Sequence, residues 1–296
     1  MAKAVYGYNG KLLRVNLSLG ACVDEEIDEK VCRQYLGGAG FIAYYLWKEL
    51  KPGIDALSPE NKLIFALGPV TGLAVPGASR MSIGAKSPLT GGVAKAESGG
   101  FWMAELKRAG YDAIIIEGKA EKPVYIWIQD GKAEIKNASH LWGKETLETE
   151  KAIRSELGDE KIHVAMIGQG GENQARFASI MLGCYDSASR GGVGAVMGSK
   201  NLKAIAVRGH NLPPVADAEK IKEVRQQLTH PHPISEFGTG GPQMLHQEIE
   251  GDLPIRNFRD GGFPGVKDIH AGVIKDTVRI GMEGCFACPY RCKKIV

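Results

Sequence analysis

At 296 residues, with 44% hydrophobic and 24% charged side chains, the chain has ordinary globular composition and enough length for about two domains and a sizeable core. A formal net charge of +3 excludes the strongly basic face of a nucleic-acid binder. No run of about 18 apolar residues marks a membrane span, and the opening Met-Ala-Lys-Ala-Val-Tyr-Gly-Tyr-Asn-Gly lacks the apolar centre of a secretion signal, so a cytoplasmic protein is expected.

Taken in chain order, Lys11 to Leu17 alternates and predicts a strand. Asp28 is placed to cap a helix through Tyr35. After the break at Gly37-Gly38-Ala39-Gly40, Phe41 to Leu50 predicts a second helix, stopped by Pro52-Gly53. Lys62 to Leu67 reads as a buried strand before a Gly68-Pro69 turn. The segment Gly77 to Gly92 is rich in small residues and carries Arg80 and Lys86. It reads as a long loop that either cradles an anion or simply exposes two solvated cations. Phe101 to Ala109 predicts a helix ended by a left-handed Gly110. Ala113 to Glu117 and Val124 to Gln129 are strands, the latter entering an Asp130-Gly131 hairpin turn. Lys144 to Leu157 is an amphipathic helix backed by Gly158, and Lys161 to Ile167 returns as a strand.

Glycine is the outlier at 39 residues, and its clusters expose an internal repeat. Ser98-Gly99-Gly100, a helical stretch and Ala113 to Gly118 match Arg190-Gly191-Gly192, a helical stretch and Ala204 to Gly209. Each copy sets a diglycine before a helix, where free amides favour an anion; a plain glycine–helix–strand connection is the competing reading. Composition shifts at Asn211-Leu212-Pro213-Pro214. The chain is therefore divided into residues 1–210, a first domain, and residues 211–296, the beginning of a second. The Gly/Pro-rich stretch from His230-Pro231-His232-Pro233 to Pro264 shows little regular pattern.

Three segments carry chemistry. Cys285, Cys288 and Cys292 form a C-x2-C-x3-C array, three corners of a thiolate set for an iron–sulfur cluster or for zinc, the latter needing a fourth Cys or His. An inert set is the remaining alternative. The loop holding Arg80 and Lys86 is neither a phosphate loop of the G-x-x-x-x-G-K-[ST] kind nor a dinucleotide fingerprint. The stretch Asp186 to Gly198 combines Ser187, Ser189, Arg190 and Gly191 before a helix, and Arg190 is suited to fork onto a phosphate or a pterin-like ring. Cys22, Cys32, Cys184 and the histidines show no metal spacing, and the four tryptophans read as packing residues.

In this order the segments resemble the tungsten-containing aldehyde ferredoxin oxidoreductase family. The resemblance rests on Tyr6-Gly7 through Val15-Asn16-Leu17-Ser18, Leu57 to Leu63, Gly68-Pro69-Val70-Thr71-Gly72, Lys86-Ser87-Pro88-Leu89-Thr90-Gly91, Glu105 to Tyr125, Arg190 to Val207, and the cysteine array. It covers essentially the whole chain, as the N-terminal half of a typical member. It implies an α+β fold: a β-rich domain of two intertwined repeats forming a saddle for a tungsten bis-pterin, followed by the start of a mainly helical domain. By the same resemblance, Arg80 links pterin and cluster. Glu97, Ser98, Gly99, Ser187, Ser189, Arg190 and Gly191 would contact the pterin phosphates, in part through main-chain ligands of a bridging Mg2+. Cys285, Cys288 and Cys292 would hold three corners of a [4Fe–4S] cluster.

The implied reaction oxidises a small aldehyde to a carboxylic acid, with electrons passed to ferredoxin or another carrier in an anaerobic cell. No catalytic residue is expected in this chain. Glu97 departs from a neutral Asn of the family pattern, and a carboxylate beside phosphate is unfavourable unless only its backbone is used. Asp186 and Ser189 likewise replace Arg and Gly. The alternatives are a tungsten aryl-CoA ring reductase subunit, a non-catalytic cofactor or electron-transfer subunit whose partner supplies the other half, and an inert fragment. Tungsten against molybdenum, the fourth cluster ligand and the oligomeric state, a homodimer included, stay open.

Overall fold

Two six-stranded sheets built on one plan account for most of the chain. The computed structural model describes residues 5–230, 232–241 and 243–296. The first four residues of the opening that was read for a secretion signal, and Pro231 and Pro242 of the Gly/Pro-rich stretch, lie outside the described residues. The first repeat runs β1 (Lys11–Asn16), β2 (Ala21–Glu26), α1 (Glu29–Tyr35), α2 (Ala39–Glu49), β3 (Leu63–Leu67), β4 (Met81–Lys86), β5 (Val93–Ser98), α3 (Trp102–Arg108) and β6 (Ala113–Glu117). The second runs β7 (Val124–Gln129), β8 (Lys132–Asn137), α4 (Thr146–Leu157), β9 (His163–Met166), α5 (Gln169–Glu172), β10 (Ile180–Leu182), β11 (Asp186–Ala188), α6 (Val193–Ser199) and β12 (Leu202–Arg208).

Their sheet orders, β2-β1-β6-β3-β4-β5 and β8-β7-β12-β9-β10-β11, correspond strand for strand. In each sheet the last strand inserts parallel to the first, as β6 beside β1 and β12 beside β7, and every other pairing is antiparallel. The duplication visible in the glycine pattern therefore extends to the whole topology.

Alternation within the strands builds three cores. On the outer face of the first sheet, Phe41, Ile42, Tyr45 and Leu46 of α2 pack on Leu12, Ile64, Ala66, Ala113 and Ile115. Outside the second sheet, Ile153 of α4 and Leu141 pack on Tyr125, Val164, Met166, Ala204 and Ala206. Between the sheets lies a shared core, to which α3 gives Trp102, Met103 and Leu106, and α6 gives Val193, Val196 and Met197. Strands such as β6 are consequently apolar on both faces. Each such side chain contributes about 1.5–3 kcal/mol by leaving water.

The helices cross over: α3 lies against β12 and β9 of the other repeat, and α6 against β3 and β4. Trp102 Nε1 seals the exchange by donating to the Ile205 carbonyl at 2.9 Å. Neither repeat can complete its core without the helix of the other, and this is what intertwining means physically.

Asp28 caps α1 by accepting from the Lys30 amide. Asp130 and Gly131 both adopt positive φ, as a two-residue hairpin turn requires. α2 starts two residues before its expected Phe41, because Gly38 caps it and Gly40 lets it crowd the end of α1; a Cβ on Gly40 would sit 2.0 Å from the Tyr35 carbonyl oxygen. The helix expected from Lys144 begins at Thr146, and the strand expected over 161–167 narrows to β9.

The loop reading of residues 77–92 is corrected. Met81–Lys86 is the buried strand β4, with Met81, Ile83 and Ala85 in the shared core. Its serine, glycine and lysine mask the alternation. Lys86 is not a free cation either, since its ammonium donates to the Ile54 carbonyl.

The chain separates into two compact units: residues up to Leu73 with Ala78–Ala218, and Ala74–Gly77 with Glu219–Val296. The second is mainly helical, with α7 (Ala218–Leu228), α8 (Pro233–Phe237), α9 (Gln243–Glu250), α10 (Val266–Ile269) and α11 (Ala271–Thr277). They are followed by a ribbon of β13 (Gly281–Glu283) and β14 (Lys293–Ile295). Among the described residues no helix is long and apolar enough to cross a membrane.

Candidate cofactor site

The two diglycine turns leave equivalent edge strands, β5 and β11, and the fold sets these edges side by side. The period of β5 buries Ala94, Ala96 and Ser98 and turns Lys95 and Glu97 outward. Gly99 and Gly100 then lead into α3, while Ser189, Arg190, Gly191 and Gly192 lead from β11 into α6.

Each turn leans on the other repeat. Gly100 holds φ +115°, and a Cβ there would stand 2.6 Å from Asp186 Oδ2. Gly191 holds φ +68°, and a Cβ there would stand 2.5 Å from Ala94 Cβ. Only glycine meets both the backbone and the space requirement at these two points. Thus Asp186 of the second repeat packs against the first glycine turn.

Arg80 immediately precedes β4, and β4 pairs Met81 with Ser98 and Ser82 with Glu97, so Arg80 stands beside the first turn. Its side chain is exposed, as is that of Arg190, and neither has an ion pair among the described residues. Ser187 and Ser189 share a hydrogen bond at 2.7 Å between their hydroxyls.

Glu97 is engaged: Lys95 Nζ lies 2.8 Å from its Oε1 and Ser82 Oγ donates to the same oxygen at 3.4 Å. The Lys95 hydrogen bond outweighs burial and, with the charges of Lys95 and Arg80, holds the Glu97 carboxyl below the usual range. The structure therefore brings Arg80, Glu97, Ser98, Gly99, Ser187, Ser189, Arg190 and Gly191 into one region of the first unit. Exposed guanidiniums and hydroxyls around crowded glycine turns fit an anionic group.

The cysteines belong to the second unit. Cys285, Cys288 and Cys292 occupy the loop joining β13 to β14, half-buried and in no disulfide. The Cys288 amide donates to the Cys285 carbonyl at 3.1 Å, which turns the chain between them. Among the described residues no three His, Cys, Asp or Glu side chains are gathered tightly enough to hold a metal. The array supplies thiolate donors suited to iron–sulfur chemistry on one short loop, without the assembled geometry.

Two buried hydroxyls escaped the sequence reading. Ser79 Oγ donates to the Gly100 carbonyl at 2.7 Å and Ser87 Oγ to the Gly191 carbonyl at 2.8 Å. A serine on either side of a small-residue strand leaves no periodic signal by which it could be found.

Residues 12–209 match the family model described as aldehyde ferredoxin oxidoreductase, N-terminal domain, and residues 216–296 match that for domains 2 and 3. The chain is 46% identical to the tungsten-containing aldehyde ferredoxin oxidoreductase of Pyrococcus furiosus, over 98% of this chain and 49% of that protein. It is 37% identical to the WOR-like subunit of an aliphatic sulfonate oxidoreductase from the same organism, over 98% of this chain and 50% of that one. Among solved structures, the active-site complex BamBC of benzoyl coenzyme A reductase superposes with a TM-score of 0.82 at 35% identity, covering 98% of this chain and 47% of its own. The chain thus spans about half the length of the relatives it matches.

Proposed function

This chain belongs to the aldehyde ferredoxin oxidoreductase family, and from that premise we propose that it forms the cofactor-gripping part of a tungsten bis-pterin enzyme. The reaction would convert an aldehyde and water to a carboxylic acid, two protons and two electrons, with ferredoxin as the electron acceptor and a [4Fe–4S] cluster as the carrier that the cysteine loop would hold. The observation that carries this reading is the pair of equivalent edge strands, β5 and β11, lying side by side, each leading to a glycine turn that packs on the other repeat's strand. Two like half-sites suit a cofactor with two like halves.

When bound, the tungsten bis-pterin supplies the two-electron chemistry at the aldehyde carbon. The protein's own residues bind and orient. Arg80 and Arg190 present planar forks of donors to anionic oxygens. Because Lys95 and Ser82 occupy the Glu97 carboxylate, Glu97 offers its main chain to the phosphate region and its charge stays neutralised. Backbone oxygens beside the two turns would hold Mg2+. Cys285, Cys288 and Cys292 would each give one thiolate to the cluster, with a fourth ligand from a residue outside these three. Arg80 would present a fixed positive charge to the anionic cofactor.

A second reading has its own support in the BamBC likeness: an aromatic-ring reductase subunit, in which electrons run toward the substrate.

The test is Arg80→Ala in the anaerobically purified protein at the full length of its relatives. The fold should survive, because this side chain is exposed, while pterin content or aldehyde-dependent ferredoxin reduction falls. Unchanged pterin content together with unchanged turnover would refute the role. Reduction of an aryl-CoA with no aldehyde oxidation would select the second reading.

A further inference from the structure

Strand β4 touches both glycine turns, one at each of its ends. Ser79, just before the strand, is 1% exposed and donates to the carbonyl of Gly100 at 2.7 Å. Ser87, just after the strand, is also 1% exposed and donates to the carbonyl of Gly191 at 2.8 Å. One turn belongs to the first repeat and the other to the second, yet a single strand of the first repeat fixes both. We infer that Ser79 and Ser87 are positioning residues that set the spacing and orientation of the two half-sites, so that both grip one cofactor together. This inference rests on the bis-pterin reading.

In a planar trans peptide the carbonyl and the following amide point in opposite directions. Holding the Gly100 oxygen toward Ser79 fixes the plane that contains the Phe101 amide. Holding the Gly191 oxygen toward Ser87 fixes the plane that contains the Gly192 amide. Glycine alone would let these planes swing, since it crosses between φ regions at little cost. A buried hydroxyl with a single carbonyl partner removes that freedom.

Both clamps are anchored in turn. Ser87 Oγ also accepts from the Leu89 and Thr90 amides at 3.2 and 3.0 Å, which closes the turn after β4. The Lys86 amide, one residue earlier, donates to Asn61 Oδ1 at 3.1 Å. On the other side the Arg80 amide donates to the Ala78 carbonyl at 2.9 Å, bending the chain around Ser79. The segment between the clamps contains β4, paired with β5 along its whole length and with β3 over Met81 to Gly84. It therefore links the two clamps through paired backbone.

The experiment uses the full-length holoprotein purified without oxygen, with Ser79→Ala, Ser87→Ala and Ser199→Ala made separately. Ser199 is the control: it is also buried and gives its hydroxyl to the Val196 carbonyl at 2.9 Å, within α6 and not to either turn. Pterin and tungsten per chain are measured, together with the rate of pterin loss after dilution. Ser79→Ala and Ser87→Ala should each speed loss at least about tenfold, while Ser199→Ala releases pterin at the wild-type rate, because only the first two leave a half-site free to swing. Wild-type loss rates in both clamp variants, or equal acceleration by Ser199→Ala, would overturn the inference while leaving the bis-pterin reading intact. A wild-type protein without pterin would overturn both. Should an alanine variant fail to fold, Ser79→Cys and Ser87→Cys keep the side-chain size with a weaker donor; they should show intermediate loss rates, and wild-type rates there count against the clamp.

Discussion

Replacing Gly191 with Ala tests how tightly the two repeats press on each other at the proposed grip. Its φ of +68° lies in the left-handed region, where a Cβ costs roughly 1–2 kcal/mol. The new carbon would also stand 2.5 Å from Ala94 Cβ and 3.0 Å from Ala94 Cα, an overlap with packed β5 of the kind that costs about 1–3 kcal/mol. Together the loss is about 2–5 kcal/mol, a large share of a typical total of about 5–15 kcal/mol.

Gly131→Ala separates the two contributions. That glycine has φ +83°, and a Cβ there would meet nothing within 4 Å, so it feels the backbone strain alone. Denaturant unfolding of both variants, with slopes compared as well as midpoints, reads the difference. Ala94→Gly added to Gly191→Ala should recover part of the loss as a coupling of about 1 kcal/mol or more. If Gly191→Ala costs no more than Gly131→Ala, the close contact between the half-sites is refuted.

Lys200 is fully buried, with its ammonium donating to the Pro59 and Gly118 carbonyls at 3.2 and 3.1 Å, and burial pushes its pKa down to about 7. Between about pH 7 and 10.5 the unfolded chain then holds the extra proton, so wild-type stability should rise with pH across that window. Unfolding midpoints of Lys200→Met should lack this slope, and an identical slope would contradict the assignment. Trp102→Phe removes the indole donor to Ile205 that joins α3 to the opposite sheet. A loss of about 1–3 kcal/mol is expected in thermal or denaturant unfolding, and no measurable loss would mean that the crossing bond contributes nothing.

Long periodic elements were legible in the sequence because burial on a helix or strand face leaves a repeating pattern. The strand Ala113–Glu117, the helix capped by Asp28 and the Asp130-Gly131 turn all sit where that pattern puts them. β4 was hidden because Ser82 and Gly84 stand where a strand would ordinarily show larger side chains, and Gly84 is required by Ile42 of α2, whose Cγ2 would be 2.4 Å from a Cβ there. β10 and β11 have three residues each, too short for a period to register.

The candidate site was legible as motifs but not as an arrangement. Gly99-Gly100 and Gly191-Gly192 announce turns, while the contacts of Gly100 with Asp186 and Gly191 with Ala94 join residues far apart in the chain. The hydroxyl clamps at Ser79 and Ser87 are long-range in the same way. The cysteine array reads directly from its spacing, since one short loop carries all three thiols.

The most direct measurement is the pterin-to-tungsten ratio of the anaerobically purified full-length protein, compared with Gly100→Ala and Gly191→Ala made singly. Two pterins per tungsten in the wild type, with marked loss in either variant, is the result expected of two half-sites sharing one cofactor. One pterin per metal, or full retention when either turn is altered, would contradict it.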